Sequence, residues 1–308
     1  MRTVLHSLAC VALLALSSSV WAKDKEVWVG SYFQNKVTRF NLATGAKLGE
    51  LTGVSGPLGM TLRDGKVYVA AETANKIRMY DAETAAYLGD FATANLNHPT
   101  AIAFNEAGDL LAANFNDNTV SRFSSAGVYL GRFVTSGLGG LNGPDLGMAF
   151  GPDGDLYVPN YYGNSILRYD GKTGASKGAF VSAGSGGLTQ PRTLVWRDGM
   201  LYVSSDNGGK VLRYNAKSGS FIGAFVPAGS GGLGGAVGMA FTSESVLVTS
   251  GTTGQILQYD LANGSYKKVF AAGIGSPTGL LVVPEPTSLA VSALGLAALK
   301  ARKWGKRN

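Results

Sequence analysis

The sequence predicts an all-β protein, a six-bladed β-propeller of four-stranded blades. Of 308 residues, 44 are Gly and only 15% are charged. This balance favours short strands and tight turns, because Gly is costly in a helix and supplies the positive φ that turns need. An apolar triplet also recurs six times, at intervals of 40, 43, 46, 45 and 45 residues. Each interval accommodates four short strands, which is the size of one propeller blade.

The first two strands of each unit are marked by apolar residues at fixed offsets. The triplets begin at Val27, Val67, Leu110, Leu156, Leu201 and Val246. Ten positions later an aliphatic residue stands at Val37, Ile77, Val120, Ile166, Val211 and Ile256. Thirteen positions after the triplet begins comes an aromatic residue, at Phe40, Tyr80, Phe123, Tyr169, Tyr214 and Tyr259. These offsets predict a hairpin in every unit.

Two further strands complete each unit. The third is predicted near residues 48–51, 88–91, 130–133, 178–180, 223–225 and 269–270. The fourth follows a Gly-rich loop, usually after Pro, at residues 58–62, 100–104, 146–150, 192–196, 237–241 and 278–282. The chain therefore opens with three outer strands and closes with a lone inner strand. We expect these four strands to form one composite blade, which removes the open sheet edge.

The repeats resemble a known propeller family. Residues 152–158 read Pro-Asp-Gly-Asp-Leu-Tyr-Val, and residues 164–170 read Asn-Ser-Ile-Leu-Arg-Tyr-Asp. These units resemble NHL repeats and, more loosely, the YVTN and gluconolactonase-like propellers. The resemblance covers residues 27–283, and we assign the propeller domain to residues 23–283.

The looser resemblance has a bearing on catalysis. Gluconolactonase-like enzymes place a Glu, two Asn-type oxygens and an Asp around a central divalent ion, which activates water. Only Asp145 stands at the start of an inner strand in the way that this ligand set implies. The other inner strands begin with residues of different types: Leu58, Thr100, Arg192, Val237 and Thr278. The sequence therefore does not predict a lactonase.

The N-terminus has the pattern of a secretory signal peptide. Arg2 precedes a largely apolar stretch at residues 4–16, and small or apolar residues stand at the −3 and −1 positions of a cut after Ala22. We therefore expect residues 1–22 to be removed after export through the Sec translocon. Cys10 and His6 lie in this leader, so the mature chain has no Cys and retains only His98.

The C-terminus, residues 284–308, resembles the PEP-CTERM sorting signal. Pro284, Glu285 and Pro286 precede a mostly apolar run at residues 289–299 and a basic end. In that family an exosortase, a membrane protease of Gram-negative bacteria that make exopolysaccharide, processes the tail. Eleven residues span roughly 16 Å of a hydrocarbon core near 30 Å, which suits a transient membrane anchor. The resemblance implies the periplasm, the cell envelope or the extracellular matrix as the destination.

The net charge of +7 does not indicate a nucleic-acid binder. Arg2 and five basic residues among the last nine account for six of the 27 basic residues. One of the 20 acidic residues, Glu285, also lies outside the propeller, so the domain has a net charge of only +2. A domain so close to neutral has no global signature of nucleic-acid binding.

Candidate site residues converge on one face of the predicted propeller. The loops after the first outer strands and the loops that lead into the inner strands share this face, around the central channel. The ligand-binding residues predicted there are Glu72, His98, Asn114, Asp145, Asn160, Arg192 and Asp206. The side-chain oxygens of the five Asp, Glu and Asn residues raise calcium or another divalent cation as a candidate cofactor. Asn35, Asn75, Asn118 and Asn164 are instead interpreted as turn residues with a left-handed backbone.

These observations favour a binding module over an enzyme. We expect an exported propeller that binds an envelope protein or a glycan, because aromatic and amide side chains on a loop rim suit such ligands. The alternative is an extracellular hydrolase of lactonase or esterase type, or a lyase, that uses a divalent cation on the rim. A structural envelope protein is a third interpretation. Fold alone does not decide between them.

Overall fold

Six antiparallel sheets of four strands each make up the computed structural model, which describes residues 24–284. The predicted signal peptide with Ala22, and all of the predicted sorting signal beyond Pro284, lie outside the described residues. Each sheet is one blade, and the inner strands surround a central channel. The predicted all-β, six-bladed propeller is confirmed.

The strands follow the chain order that the repeats predict. Blade 1 contains β1 (Asp24–Ser31), β2 (Lys36–Asn41) and β3 (Lys47–Thr52). Blade 2 contains β4 (Pro57–Arg63), β5 (Lys66–Ala71), β6 (Lys76–Asp81) and β7 (Tyr87–Ala92). Blade 3 contains β8 (Pro99–Phe104), β9 (Leu110–Asn114), β10 (Thr119–Phe123) and β11 (Tyr129–Val134).

The second half repeats this arrangement. Blade 4 contains β12 (Ala149–Phe150), β13 (Leu156–Asn160), β14 (Ser165–Tyr169) and β15 (Ser176–Val181). Blade 5 contains β16 (Pro191–Arg197), β17 (Met200–Ser205), β18 (Lys210–Asn215) and β19 (Phe221–Val226). Blade 6 contains β20 (Ala236–Phe241), β21 (Ser245–Ser250), β22 (Gln255–Asp260) and β23 (Tyr266–Ala271). The last strand is β24 (Pro277–Pro284).

Strand β24 closes the ring as the inner strand of blade 1. It pairs antiparallel with β1, and the register places Val27 opposite Val282 and Val29 opposite Leu280. The order of this sheet is β24-β1-β2-β3, so the last strand of the chain completes the first blade. The predicted closure by three N-terminal strands and one C-terminal strand is confirmed.

Six apolar clusters form most of the core, one between each pair of neighbouring blades. The cluster between blades 1 and 2 includes Trp28, Val37, Val67 and Val283, all buried. The alternation of side chains in each strand directs one apolar set to each neighbouring blade. Both faces of a blade are therefore buried, which explains the continuous apolar triplets in the sequence.

The repeated tyrosines also bind the Gly-rich loops that precede their blades. The hydroxyl groups of Tyr169, Tyr214 and Tyr259 donate hydrogen bonds to carbonyl oxygens of 3-10 turns at 2.8, 2.8 and 2.9 Å. These turns are Leu138–Gly140, Ser185–Gly187 and Ser230–Gly232. A fourth 3-10 turn, Glu72–Ala74, lies between β5 and β6.

The inner strand of blade 4 differs from the prediction. Residues 146–150 were expected to form a strand, but β12 contains only Ala149–Phe150. The N–H of Gly147 donates instead to the carbonyl of Arg192 in blade 5, at 2.9 Å. The chain therefore pairs with β13 at Pro144, bridges to blade 5 at Gly147 and returns to β13 at Ala149.

Within residues 24–284, no helix has the length and apolar character needed to cross a membrane.

The ring closure predicts the effect of a cavity in β24. Val283 is 4% exposed and belongs to the apolar cluster that contains Trp28. Val283→Ala should therefore lower the free energy of unfolding by about 2 kcal/mol through lost burial and a residual cavity. Val128→Ala is the matched control, because Val128 is 61% exposed, and it should change stability by less than about 0.5 kcal/mol. Urea denaturation of both variants measures the difference. Equal losses would show that β24 is not part of the cooperative core.

Candidate functional site

Two rings of side chains define a funnel at one end of the channel. The first ring contains the residue five positions after each triplet begins: Tyr32, Glu72, Phe115, Tyr161, Asp206 and Gly251. The inner segment of a blade is its inner strand or, in blade 4, the stretch from Pro144 that leads into that strand. The second ring contains the second residue of each inner segment: Leu58, Thr100, Asp145, Arg192, Val237 and Thr278. Members of both rings, together with Phe33 and Tyr162, line a cavity of about 300 Å³. This funnel is on the face that the sequence predicts for the site.

Asn114 and Asn160 lie behind the funnel and hold its loops. The side-chain oxygen of Asn114 accepts a hydrogen bond from the N–H of Asn97 at 3.0 Å, and that of Asn160 accepts one from the N–H of Asn142 at 2.7 Å. Both asparagines are buried at the ends of strands. They stand four positions after the triplet begins, whereas Glu72 and Asp206 stand five positions after it. Counting this offset in every repeat would have distinguished the two asparagines from the residues of the first ring.

Arg192 joins two acidic residues on one side of the funnel. Its Nε donates to Asp206 Oδ2 at 2.6 Å, and its Nη1 donates to Asp145 Oδ2 at 2.9 Å. The guanidinium carbon lies 4.8 Å from the centroid of the Tyr161 ring, in a cation–π contact. Three predicted site residues therefore form a single charged network.

Burial governs the electrostatics of this network. Asp145 is almost completely buried, which raises the pKa of its carboxyl group, although Arg192 and the N–H of Leu146 oppose this shift. Arg192 is held in its charged form, because the nearby carboxylates of Asp145 and Asp206 raise its pKa more than burial lowers it. Burial also raises the pKa of Tyr161. The network is therefore a fixed arrangement of charge in a poorly solvated site.

Glu72 and His98 meet on the other side of the funnel. His98 Nδ1 lies 3.2 Å from Glu72 Oε1, and the hydroxyl group of Tyr32 donates a short hydrogen bond to Glu72 Oε2. Burial, and then the hydrogen bond to Glu72, raise the pKa of Tyr32 to about 12. The structure thus brings two predicted residues together and adds Tyr32 to them.

Aromatic rings form much of the funnel wall. Tyr32 and Phe33 pack edge to face with ring centroids 5.4 Å apart. Phe115 packs against Tyr161 and Tyr162 at 6.0 and 5.5 Å. Phe33 is 78% exposed and Tyr162 is 57% exposed, so both present open ring surface at the mouth. Such rings are suited to stacking against the apolar face of a ligand.

The base of the funnel is apolar. Leu58 and Val237 line the funnel, Leu146 lines the channel cavity of about 500 Å³, and the three residues form one buried cluster. The hydroxyl groups of Thr100 and Thr278 are used in hydrogen bonds to the carbonyls of Pro144 and Pro57, at 2.8 and 2.7 Å. These hydroxyls therefore serve the packing of neighbouring blades.

The carboxylates do not form the cation site that the sequence suggested. Among the residues that the structure describes, no group of three or more His, Cys, Asp or Glu is placed to hold a metal ion. Asp145 and Asp206 converge on the guanidinium of Arg192, which supplies the positive charge there. Calcium requires six to eight oxygen ligands and would have to compete with the Arg192 guanidinium for these two carboxylates. The donor set therefore does not fit the ion.

The fold defines the class of this protein, a six-bladed β-propeller with a funnel at one end of the channel. No protein-family model and no curated protein matches the sequence. Similar solved structures include one from a nidogen/laminin complex, with 14% identity, 84% of this chain and 98% of that chain covered, and a TM-score of 0.71. A protein of unknown function from Bacteroides caccae has 13% identity, coverage of 85% and 100%, and a TM-score of 0.67.

A streptogramin B lyase is also similar, with 15% identity, coverage of 84% and 87%, and a TM-score of 0.61. At these identities the likeness shows the fold alone. The same architecture is thus present in a protein from a binding complex and in an enzyme.

The charged network predicts a coupled stability effect. Arg192→Met would leave Asp145 buried without its cation and should lower the free energy of unfolding by about 3 kcal/mol. Adding Asp145→Asn should recover at least half of this loss, because the unpaired charge is then removed. Chemical denaturation of the two variants measures the coupling.

The loss of unfolding free energy in Arg192→Met should also depend on pH. Burial raises the pKa of Asp145 above its value of about 4 in the unfolded chain, and loss of the guanidinium raises it further. The native state then binds a proton more tightly than the unfolded state, so stability falls as pH rises through this range. Arg192→Met should therefore approach the wild type in stability near pH 4. A pH-independent deficit would contradict this account.

Proposed function

We propose that this protein is an exported propeller that binds a glycan chain end in the funnel, at the cell envelope or in the exopolysaccharide matrix. The observation that carries the proposal is the combination of exposed aromatic rings at the mouth with a fixed polar network inside. Aromatic rings stack on the apolar faces of sugars, while carboxylates and the guanidinium accept and donate hydrogen bonds. Because these groups are already held by one another, little ordering is needed on binding.

The size of the funnel favours a chain end over a protein surface. A cavity of about 300 Å³ is at the lower end of small-ligand sites, which run from about 300 to 1,000 Å³. A stable protein interface buries about 800 Å² on each partner. The similar structure from a nidogen/laminin complex supports protein binding as the second candidate, with the rim around the funnel as the contact surface.

The two terminal signals supply the proposed location. A signal peptide ending at Ala22 directs the chain to the Sec translocon, and the motif at Pro284, Glu285 and Pro286 directs it to an exosortase. The basic end would keep the tail at the cytoplasmic side of the inner membrane before processing. The propeller would then act as a binding module in the envelope of a Gram-negative bacterium.

Loss of an exposed aromatic ring should weaken glycan binding. Tyr162→Ser should lower the affinity for immobilised host exopolysaccharide by about fivefold to tenfold, because a stacking surface is removed. Tyr87→Ser is the matched control, because Tyr87 is 51% exposed but lies on β7 at the perimeter. Biolayer interferometry compares the two variants. Equal affinities would contradict a role for the funnel in binding.

The sorting signal can be tested in the native host. Replacement of Pro284, Glu285 and Pro286 with Ala should leave an uncut, membrane-held form, which fractionation and immunoblotting would detect. Replacement of Thr287 and Ser288 with Ala is the neighbouring control and should leave processing intact. Unchanged processing of the first variant would show that the motif is not read by an exosortase.

A further inference from the structure

The residue that precedes each inner segment has a positive φ in all six blades. The six residues and their φ values are Gly56 (58°), His98 (53°), Gly143 (71°), Gln190 (49°), Gly235 (71°) and Ser276 (50°). Glycine, which adopts this region freely, alternates around the ring with three residues that have side chains. His98, Gln190 and Ser276 therefore come from alternate blades.

The scaffold requires this backbone geometry in every blade. Each of the six carbonyls accepts a hydrogen bond from the N–H of the first-ring residue in the same blade, at 2.8–3.2 Å. In four blades the N–H also donates to an Asn side chain of the preceding blade, at 2.7–2.9 Å. These bonds are the same whether the residue is glycine or not. Glycine would thus satisfy all the structural requirements of the position.

His98, Gln190 and Ser276 have a strained backbone at this position. Gln and Ser rarely adopt a positive φ, although His tolerates it better. Pro99, Pro191 and Pro277 follow these residues, and a following proline restricts the backbone further.

The fold does not offset this strain. Within residues 24–284, the amide of Gln190 and the hydroxyl of Ser276 make no side-chain hydrogen bond, and His98 uses only Nδ1, towards Glu72. Beyond the contact of His98 with Glu72, hydrogen bonds of these side chains therefore contribute nothing to the scaffold among the described residues. Strain of this kind is typical of functional sites.

The three positions border the funnel. Ser276 lines the cavity, and His98 contacts Glu72, which also lines it. The carbonyl of Gln190 is bonded to the N–H of Asp206, which the guanidinium of Arg192 contacts. Three residues with polar side chains thus stand at the ends of the loops that lead to the funnel, on alternate blades.

We propose that His98, Gln190 and Ser276 are the specificity-determining residues of the funnel and that they recognise the hydroxyl groups of a sugar. This inference rests on the proposed function. An imidazole, an amide and a hydroxyl group can each donate or accept a hydrogen bond, as can the hydroxyl groups of a sugar. Their placement on three alternate blades gives three directions of contact around one ligand, and the scaffold accepts local strain to present them.

Substitution by glycine distinguishes a role of these side chains in ligand binding from a role in stability. His98→Gly, Gln190→Gly and Ser276→Gly each introduce the residue that the other three blades carry at this position. Each variant of the full protein should bind immobilised host exopolysaccharide about fivefold to tenfold more weakly, and the triple variant more than 100-fold more weakly. The Tm of each single variant should stay unchanged or rise by up to about 4 °C, because backbone strain is relieved.

Ala85→Gly provides the matched control. Ala85 has a φ of 61° in the turn between β6 and β7, where the other blades carry Gly45, Gly127, Gly174, Gly219 and Gly264. That turn is at the opposite end of β6 from the funnel. Its substitution should relieve the same kind of strain and leave the affinity unchanged.

The outcomes distinguish this inference from the proposed function. Weaker binding with an unchanged or raised Tm supports the inference. A triple variant that binds within twofold of the wild type overturns it, as does a fall in Tm with each glycine, which would assign these side chains to the fold. If the wild type itself does not bind the polysaccharide, the proposed function fails, and the melting data still show whether these side chains serve stability.

Discussion

The pairing of β24 with β1 is the interaction on which the rest of the structure depends. Six apolar clusters of the core each lie between two neighbouring blades, so blades 1 and 6 can bury both faces only if the ring is closed. Closure also gives the inner strands a common axis. Tyr32 on the first blade and Tyr161 on the fourth can face one funnel only because the last strand of the chain returns to the first.

A repeated set of backbone hydrogen bonds holds the loops of the funnel in the same way in every blade, whatever side chains they carry. In each blade, the residue before the inner segment is bonded through its carbonyl to the first-ring residue. Side chains at both positions are therefore free to differ among blades without loss of the bonds that hold the loops. Blade 6 has glycine at both positions, whereas blade 5 has Gln190 and Asp206. A symmetrical scaffold thus carries an asymmetrical site.

The charge arrangement explains why the carboxylates of the funnel do not form a cation site. Arg192 lies between Asp145 and Asp206 and stacks on Tyr161, so both carboxylates already have a cation within hydrogen-bonding distance. Glu72 is held in turn by Tyr32 and faces His98. In a poorly solvated site these charges are strong, and they are already oriented before a ligand arrives.

The sequence by itself determined the number of blades, the strand order and the closure of the ring, because repeat spacing and turn residues are local properties. It also placed Glu72, His98, Asp145, Arg192 and Asp206 on one face. Only the tertiary structure decided how these residues combine. Arg192 meets Asp145 across 47 residues, and the strain at Gln190 arises from hydrogen bonds between segments. Asn114 turned out to hold a loop, because a shift of one residue along a strand reverses the direction of a side chain.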